Sequence, residues 1–256
     1  MKRISPLLPL IAALGAFAFA TAEAASGTRD EIEQSFSVKS GGLLNFDADL
    51  GNVEIVTGDS ETVRVEFTRE FKVKTAPEAD ELRQKLTVET SQTDNTVKVV
   101  VRFADDRHQT NRNKVRLDFR VAIPRKFNLD LRTGGSAKVG DLDGTAKAST
   151  LGGSLNLGSV SGLAIATSKG GSLSIGDVGA DLEARSYGGS TTIGRVNGRV
   201  TAIAEGGSVS IEEATDWIRA RAAGGSVTAY ISKQPRADSK ITAEAGNIDL
   251  RLAASV

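Results

Sequence analysis

The triplet Gly-Gly-Ser begins at residues 134, 152, 170, 188, 206 and 224, six copies at a constant step of 18. No other feature constrains the fold as much. A fixed period of this length means repeated units that cannot each bury an apolar face alone, so they must stack into a solenoid or array. Counting every unit from its first Gly, position 4 holds Ala137, Leu155, Leu173, Thr191, Val209 and Val227. Position 6 holds Val139, Leu157, Ile175, Ile193, Ile211 and Ala229, and the residues between, from Lys138 and Asn156 to Thr228, are polar. Apolar residues two apart with a polar one between them make a strand with one face in the core and one in water. A helix would not space them so, and paired glycines would interrupt it.

The second half of the unit repeats the pattern. Position 13 reads Ala146, Ala164, Leu182, Val200 and Ile218, and position 15 is Ala148, Ala166, Ala184, Ala202 and Ala220. Between the strands, Leu142, Val160, Val178, Val196 and Ala214 at position 9 plug a corner. The prediction is all-β: a flattened parallel β-solenoid (β-helix) of 18-residue two-strand coils, stacked about 4.8 Å apart. Alanine opposite Leu and Ile keeps a thin core from overfilling. The Gly-Gly corner is expected to supply a backbone conformation with φ above zero.

Ahead of the repeats, residues 34–133 alternate apolar and polar less regularly. Strands are predicted at Ser35–Lys39, Leu43–Ala48, Asn52–Val56, Thr62–Phe71, Leu86–Thr90, Val97–Phe103, Val115–Ile123 and Phe127–Arg132. Thr75-Ala76-Pro77-Glu78 reads as a capping box opening one short helix to Lys85, with Ala79, Leu82 and Leu86 inward. Gly51-Asn52-Val53-Glu54-Ile55 parallels the later rung Gly153-Ser154-Leu155-Asn156-Leu157, so an early coil is expected there, followed by hairpin-like excursions. After Ile231 the period breaks over residues 232–239 and resumes three residues late at Ile241 and Ile248, as a closing coil.

The first residues read differently. Lys2 and Arg3 precede an apolar run from Leu7 to Phe19 and then Ala22-Glu23-Ala24. Charged start, short apolar stretch and Ala-x-Ala site make a secretory signal peptide, too short to span a bilayer. Three segments follow: residues 1–24 as signal peptide, 25–133 as the irregular β-rich part with its helix, and 134–256 as the repeats with their closing coil. The mature chain is expected to be exported, periplasmic or at the cell surface or secreted, with no transmembrane span. It has no cysteine and one histidine, which excludes disulfides, thiolate catalysis and cysteine-based zinc sites. Lys and Arg total 32, as do Asp and Glu, so nothing draws the chain generally to nucleic acid.

Three stretches carry a family resemblance. Ile123-Pro124-Arg125-Lys126-Phe127-Asn128-Leu129-Asp130-Leu131-Arg132-Thr133 leads a strand into Gly134-Gly135-Ser136; Asp49-Leu50-Gly51-Asn52-Val53-Glu54-Ile55 forms an early Gly-Asn-hydrophobic motif; and Thr167-Ser168-Lys169-Gly170-Gly171-Ser172 marks a rung boundary. In this order, across roughly residues 40–256, they resemble the DUF4097 putative-adhesin family. The resemblance implies a single-domain β-solenoid linked to bacterial envelopes, in some members to envelope-stress systems. It transfers no catalytic residue.

Chemistry-bearing patterns are few. Gly-Gly-Ser lacks the Lys-Ser/Thr that a P-loop needs, and the apolar positions 4 and 6 stand where calcium β-rolls carry Gly and Asp. Asp105-Asp106-Arg107-His108 is a carboxylate–imidazole cluster read as a solvated loop. Position 8 holds Asp141 and Asp177, two coils and about 10 Å apart, so a single column does not make a paired-carboxylate site. Arg112, Lys114, Arg116, Arg120, Arg125 and Lys126 form a basic stretch, read as a charged solvent face, with anionic glycan or lipid headgroups as the alternative. The outward side of the second repeat strand is more suggestive. There Ile165, Glu183, Arg185, Ile203, Arg219 and Arg221, with Tyr187 at the edge, offer exposed Ile among Arg for protein or glycan contact. The expectation is an exported non-enzymatic binding or scaffolding (adhesin-like) β-solenoid of the cell envelope, with no catalytic, cofactor or metal residues and an envelope protein or glycan as partner. The alternatives are a polysaccharide-acting enzyme on the same scaffold and an envelope-stress sensing component.

Overall fold

A computed structural model describes residues 29–104, 112–254 and 256. The segment read as a signal peptide and the Asp105–His108 cluster lie outside them. The first half contains β1 (Arg29–Ser37), β2 (Leu43–Ala48), β3 (Asn52–Gly58), β4 (Thr62–Phe71), α1 (Ala76–Lys85), β5 (Leu86–Thr93), β6 (Thr96–Phe103), β7 (Val115–Pro124) and β8 (Asn128–Thr133). The repeats supply β9 (Ala137–Val139), β10 (Ala146–Thr150), β11 (Leu155–Leu157), β12 (Ala164–Ser168), β13 (Leu173–Ile175), β14 (Leu182–Ser186), β15 (Thr191–Val196), β16 (Val200–Ala204), β17 (Val209–Ala214), β18 (Ile218–Ala222) and β19 (Val227–Ile231). A last coil adds β20 (Lys240–Ala243) and β21 (Ile248–Leu252).

These strands form two facing sheets, ordered β1-β4-β7-β3-β9-β11-β13-β15-β17-β19-β21 and β20-β18-β16-β14-β12-β10-β8-β2-β6-β5. We refer to them as the first and second sheet. Through the repeats the pairing is parallel at a step of 18, as where Leu155 opposes Leu173, Leu173 opposes Thr191, and Ala166 opposes Ala184; a register shift late in the β17–β19 pair sets Ala214 opposite Ile231. The predicted parallel solenoid is what the chain forms. Positions 4, 6, 9, 13 and 15 are all buried, and the core runs unbroken from Val38 to Ile231. Thr191 is the one polar member of its column, and its buried Oγ1 finds no hydrogen-bond partner.

The early rung is also present. Val53 and Ile55 of β3 oppose Ala137 and Val139 of β9, so they continue the columns of positions 4 and 6. Its neighbours do not follow chain order. The coil β6–β7 stacks in parallel on the far side of β2–β3, and the chain then crosses back so that β8–β9 pair with β2–β3 from the other side. Beyond β6–β7 the strands become antiparallel, β1 on β4 on β7 and β5 on β6. The closing coil resumes in parallel at an offset of 21, with Val227 opposite Ile248.

Three expectations need correction. Strand β1 starts at Arg29 rather than Ser35, because its inward row opens with a buried acid, Asp30, that apolar alternation could not reveal. Helix α1 buries Ala79 and Leu82 as predicted, but Thr75 makes no side-chain cap bond. Glu78 Oε2 instead accepts from the Lys74 backbone N–H at 3.4 Å. Third, none of the Gly-Gly corners has positive φ; among the described residues only Gly41, Gly51 and Asp94 do. The glycines are there for close approach. A Cβ on Gly153 would lie 2.7 Å from the Ser136 backbone nitrogen, and one on Gly171 would lie 2.6 Å from that of Ser154.

Polar ladders run along those corners. Ser172 N–H donates to Ser154 Oγ at 3.2 Å, Ser208 N–H to Ser190 Oγ at 3.1 Å and Ser226 N–H to Ser208 Oγ at 3.1 Å. Inside the corner, the buried hydroxyls of Thr150, Ser168 and Ser186 at position 17 bond glycine carbonyls at 2.7–3.0 Å. Ser168 and Ser186 also accept from Gly171 and Gly189 N–H. Each such bond contributes about 0.5–1.5 kcal/mol net, and losing a partner in a buried corner costs more.

Candidate binding face

The outward side of the second sheet presents two straight columns, because the parallel register repeats side chains at one height per coil. One column runs Lys147, Ile165, Glu183, Thr201, Arg219 and Lys240. The other runs Ser149, Thr167, Arg185, Ile203, Arg221 and Thr242. Six of the seven residues singled out from sequence stand in these columns, and Tyr187 directly follows the end of β14. Ile165 and Ile203 are half-buried rather than exposed. Each lies in a column between longer or branched neighbours of the adjacent coils, which cover much of it.

The cations of this face are not equivalent. Arg221 is committed to the fold: its Nη1 lies 2.8 Å from Glu205 Oε2 and its Nη2 2.7 Å from Glu244 Oε1, clamping three successive coils. Arg185 reaches only the Tyr187 hydroxyl, at 3.5 Å, and Tyr187 is 44% exposed. Arg219 lies over the Trp217 ring, 5.8 Å from its centroid. Among the described residues neither Arg185 nor Arg219 has a carboxylate within ion-pair distance.

One flank of the face was missed from sequence. Position 12 holds Thr145, Leu163, Asp181, Arg199 and Trp217. Leu163 is 43% exposed, and Arg199 lies 5.9 Å from the Trp217 centroid while holding Asp181 through its Nε at 2.8 Å. Side-chain and backbone bonds from Arg199 keep the Asp181 carboxyl below the usual carboxylate range. Next to Trp217, Asp216 accepts from the N–H groups of Trp217 and Arg236 at 2.9 and 3.0 Å, which pins the 232–239 insertion beside the ring. The signal for this flank was available: reading position 12 as a column gives Leu163, Asp181, Arg199 and Trp217 over four successive coils.

Several of the other candidates are engaged within the fold. Asp141 Oδ1 accepts from Ser159 N–H at 2.8 Å, and Asp177 Oδ1 from Arg195 N–H at 2.9 Å, so each aspartate of position 8 caps the next coil. Those caps also explain the glycine at position 7, since a Cβ on Gly158 or Gly194 would come within 2.7 Å of the capping oxygen. In the basic stretch, Arg116 pairs with Asp118, Arg120 with Glu54, and Arg125 with Asp143. A groove of about 930 Å³ on the first sheet is lined by Glu33, Glu54, Arg64, Glu66, Arg120 and Lys138 among others. Its charges largely neutralise one another, Arg64 bonding Glu33 and Glu66 while Arg120 and Lys138 share Glu54. Among the described residues no group of three or more His, Asp or Glu stands close enough to hold a metal ion, and no helix is long and apolar enough to cross a membrane.

The sequence matches no family model and no curated protein, so no matching model stands behind the resemblance in the rung-boundary motifs. Among solved structures it is similar to a "putative adhesin" of Bacteroides fragilis, at 14% identity and TM-score 0.40, over 86% of this chain and 97% of that one. It is also similar to a "putative cell adhesion protein" of Clostridium sporogenes, at 13% identity and TM-score 0.31, over 87% and 100%. A third is a "putative lipid binding protein" of Parabacteroides distasonis, at 13% identity and TM-score 0.27, over 85% and 96%. Likenesses of this degree say nothing about function.

Proposed function

We propose that this protein is an exported, non-enzymatic binding or scaffolding module of the bacterial cell envelope, adhesin-like in that a rigid slab presents a flat recognition face. The face is the outer side of the second sheet, over β12 to β18. The observation that carries the reading is the pair Arg185 and Arg219, left without carboxylate partners beside Tyr187, Trp217 and Leu163. Arginine and aromatic side chains on a preorganised surface are the groups that dominate recognition energetics, for proteins and glycans alike. The two aspartates of position 8, two coils apart, are each engaged as a cap on the coil that follows, which supports binding over hydrolysis.

The test is binding to purified envelope glycans and envelope proteins by surface plasmon resonance. The triple substitution Arg185→Ala, Tyr187→Ala and Arg219→Ala should weaken the bound partner by at least about tenfold, the loss of a hot-spot cluster. Asn156→Ala with Thr192→Ala, on the opposite sheet, should leave it unchanged. Equal binding by both variants contradicts the assignment of the face. Release of new reducing ends from a glycan, lost on Asp177→Asn, contradicts the non-enzymatic reading.

A further inference from the structure

The two ends of the solenoid are finished differently. At one end α1 packs Ala79 and Leu82 onto the core, and the outermost strands are the charged β1 and the largely uncharged, polar-edged β5. At the other, β20 and β21 are the last strands of their sheets, each with one unpaired edge. Ile248, Leu250 and Leu252 continue the columns of Val227, Ala229 and Ile231, yet they are 49%, 41% and 51% exposed where the preceding row is buried. Ile241 and Ala243 of β20, and Val256 on a turn closed by its N–H to Ala253 O at 3.0 Å, are partly buried against this end of the core, but the β21 row stays open. A bare apolar row on an open strand edge is a template for further pairing.

The sequence of that edge says what fits it. Strand β21 reads Ile-Asp-Leu-Arg-Leu and is self-complementary about Leu250. Laid antiparallel on a second copy, with Leu250 opposite Leu250, it sets Ile248 against Leu252 on the inner side. On the outer side Asp249 then faces Arg251, twice. In the single chain, among the described residues, these two charges pair with each other, at 3.5 Å and well exposed. The other terminal strand shares the property: about Thr242, Ile241 meets Ala243, and Lys240 meets Glu244. The opposite end of the molecule offers no such match, since β1 carries Asp30 inward and Glu31 and Glu33 outward. We infer that the β20–β21 end is a homodimer interface, in which two copies join tail to tail about a twofold axis and continue the first sheet by antiparallel β21–β21 pairing. A twofold contact of this kind closes on itself, so it gives dimers and not fibres.

Sedimentation of the full chain, without its signal segment, should show a dimer. Asp249→Arg sets like charges opposite one another, as does Arg251→Asp, and each alone should weaken association by at least about tenfold. Mixing the two variants restores opposite charges at both sites, so the mixture should dimerise where neither component does. That recovery also proves both variants folded. A wild-type monomer at all accessible concentrations would overturn the inference. So would a dimer indifferent to either substitution, a mixture that fails to recover, or growth into filaments.

Discussion

Gly134→Ala is expected to destabilise the protein by about 3 kcal/mol, the upper part of the usual overpacking range, while Gly58→Ala changes little. The added Cβ at 134 would stand 2.1 Å from the Asp49 carbonyl oxygen, 2.7 Å from its carbon and 2.9 Å from Leu50 Cα. All three are backbone atoms of the stacked early coil, and that coil is fixed on both sides by parallel pairing. No flexible side chain can move aside. At Gly58 nothing lies within 4 Å and φ is not positive, so a methyl group enters open space. There Ala even restricts the unfolded chain, a gain of up to about 1 kcal/mol. Urea midpoints of the two variants separate the explanations: a large loss at 134 alone indicates close approach between coils, whereas equal small effects would mean the corners are loose.

The second large effect is expected at Asp30. Its side chain is 8% exposed and receives Arg69 Nε at 2.5 Å and Arg83 Nε at 3.0 Å, tying β1 to β4 and to helix α1. Replacing it by Ala leaves two partly buried arginines without their shared acceptor. Breaking a buried ion pair costs about 3–5 kcal/mol, and the partial exposure of both arginines places this one near about 2–3 kcal/mol. Burial alone would raise the Asp30 carboxyl, but the hydrogen bonds and charges of Arg83 and Arg69 outweigh it and hold the group below its ordinary 3.8. The unfolded chain therefore takes up this proton at higher pH than the folded one does. The stability Asp30 supplies is fully present above the ordinary carboxylate value and is lost as pH falls through the folded value. Denaturant melts of wild type and Asp30→Asn should thus differ most near neutrality and converge in acid. A gap that stays constant with pH would show that the carboxylate charge is not what holds this corner.

Much of this architecture was legible in the 18-residue period, because a parallel register converts sequence repetition directly into columns of side chains. The inward rows from Leu155 to Val227 and the alanines of position 15 follow from that alone. What stayed hidden came from interactions between coils. Thr150, Ser168 and Ser186 fall on the inward side of the alternation, but what lets polar residues be buried there, the glycine carbonyls of the corner that take their hydroxyl protons, shows only in the stacked coils. Asp141 and Asp177 look like chemistry and are caps. The glycines mark contact between neighbouring coils where torsional freedom was expected. The placement of β6–β7 outside chain order has no local signature, since pairing of distant strands is decided by tertiary fit. On the candidate face the columns were readable, but ion pairing was not: Arg221 and Arg219 are two residues apart on one strand, and only the carboxylates of neighbouring coils distinguish a clamp from an available cation.

Distances between nitroxide labels measured by pulsed electron resonance test the stacking most directly, and the lack of native cysteine allows clean pairs to be introduced. Lys138, Thr192, Ser210 and Thr228 are exposed and share one outward column of the first sheet. With one label at Lys138, backbone separations to the other three should rise as about 14, 19 and 24 Å, one strand spacing per coil. Labelled chains diluted into unlabelled ones keep the readings within one molecule. Distances growing by that constant increment are the predicted result; values that fail to increase with the number of intervening coils would contradict a parallel stack.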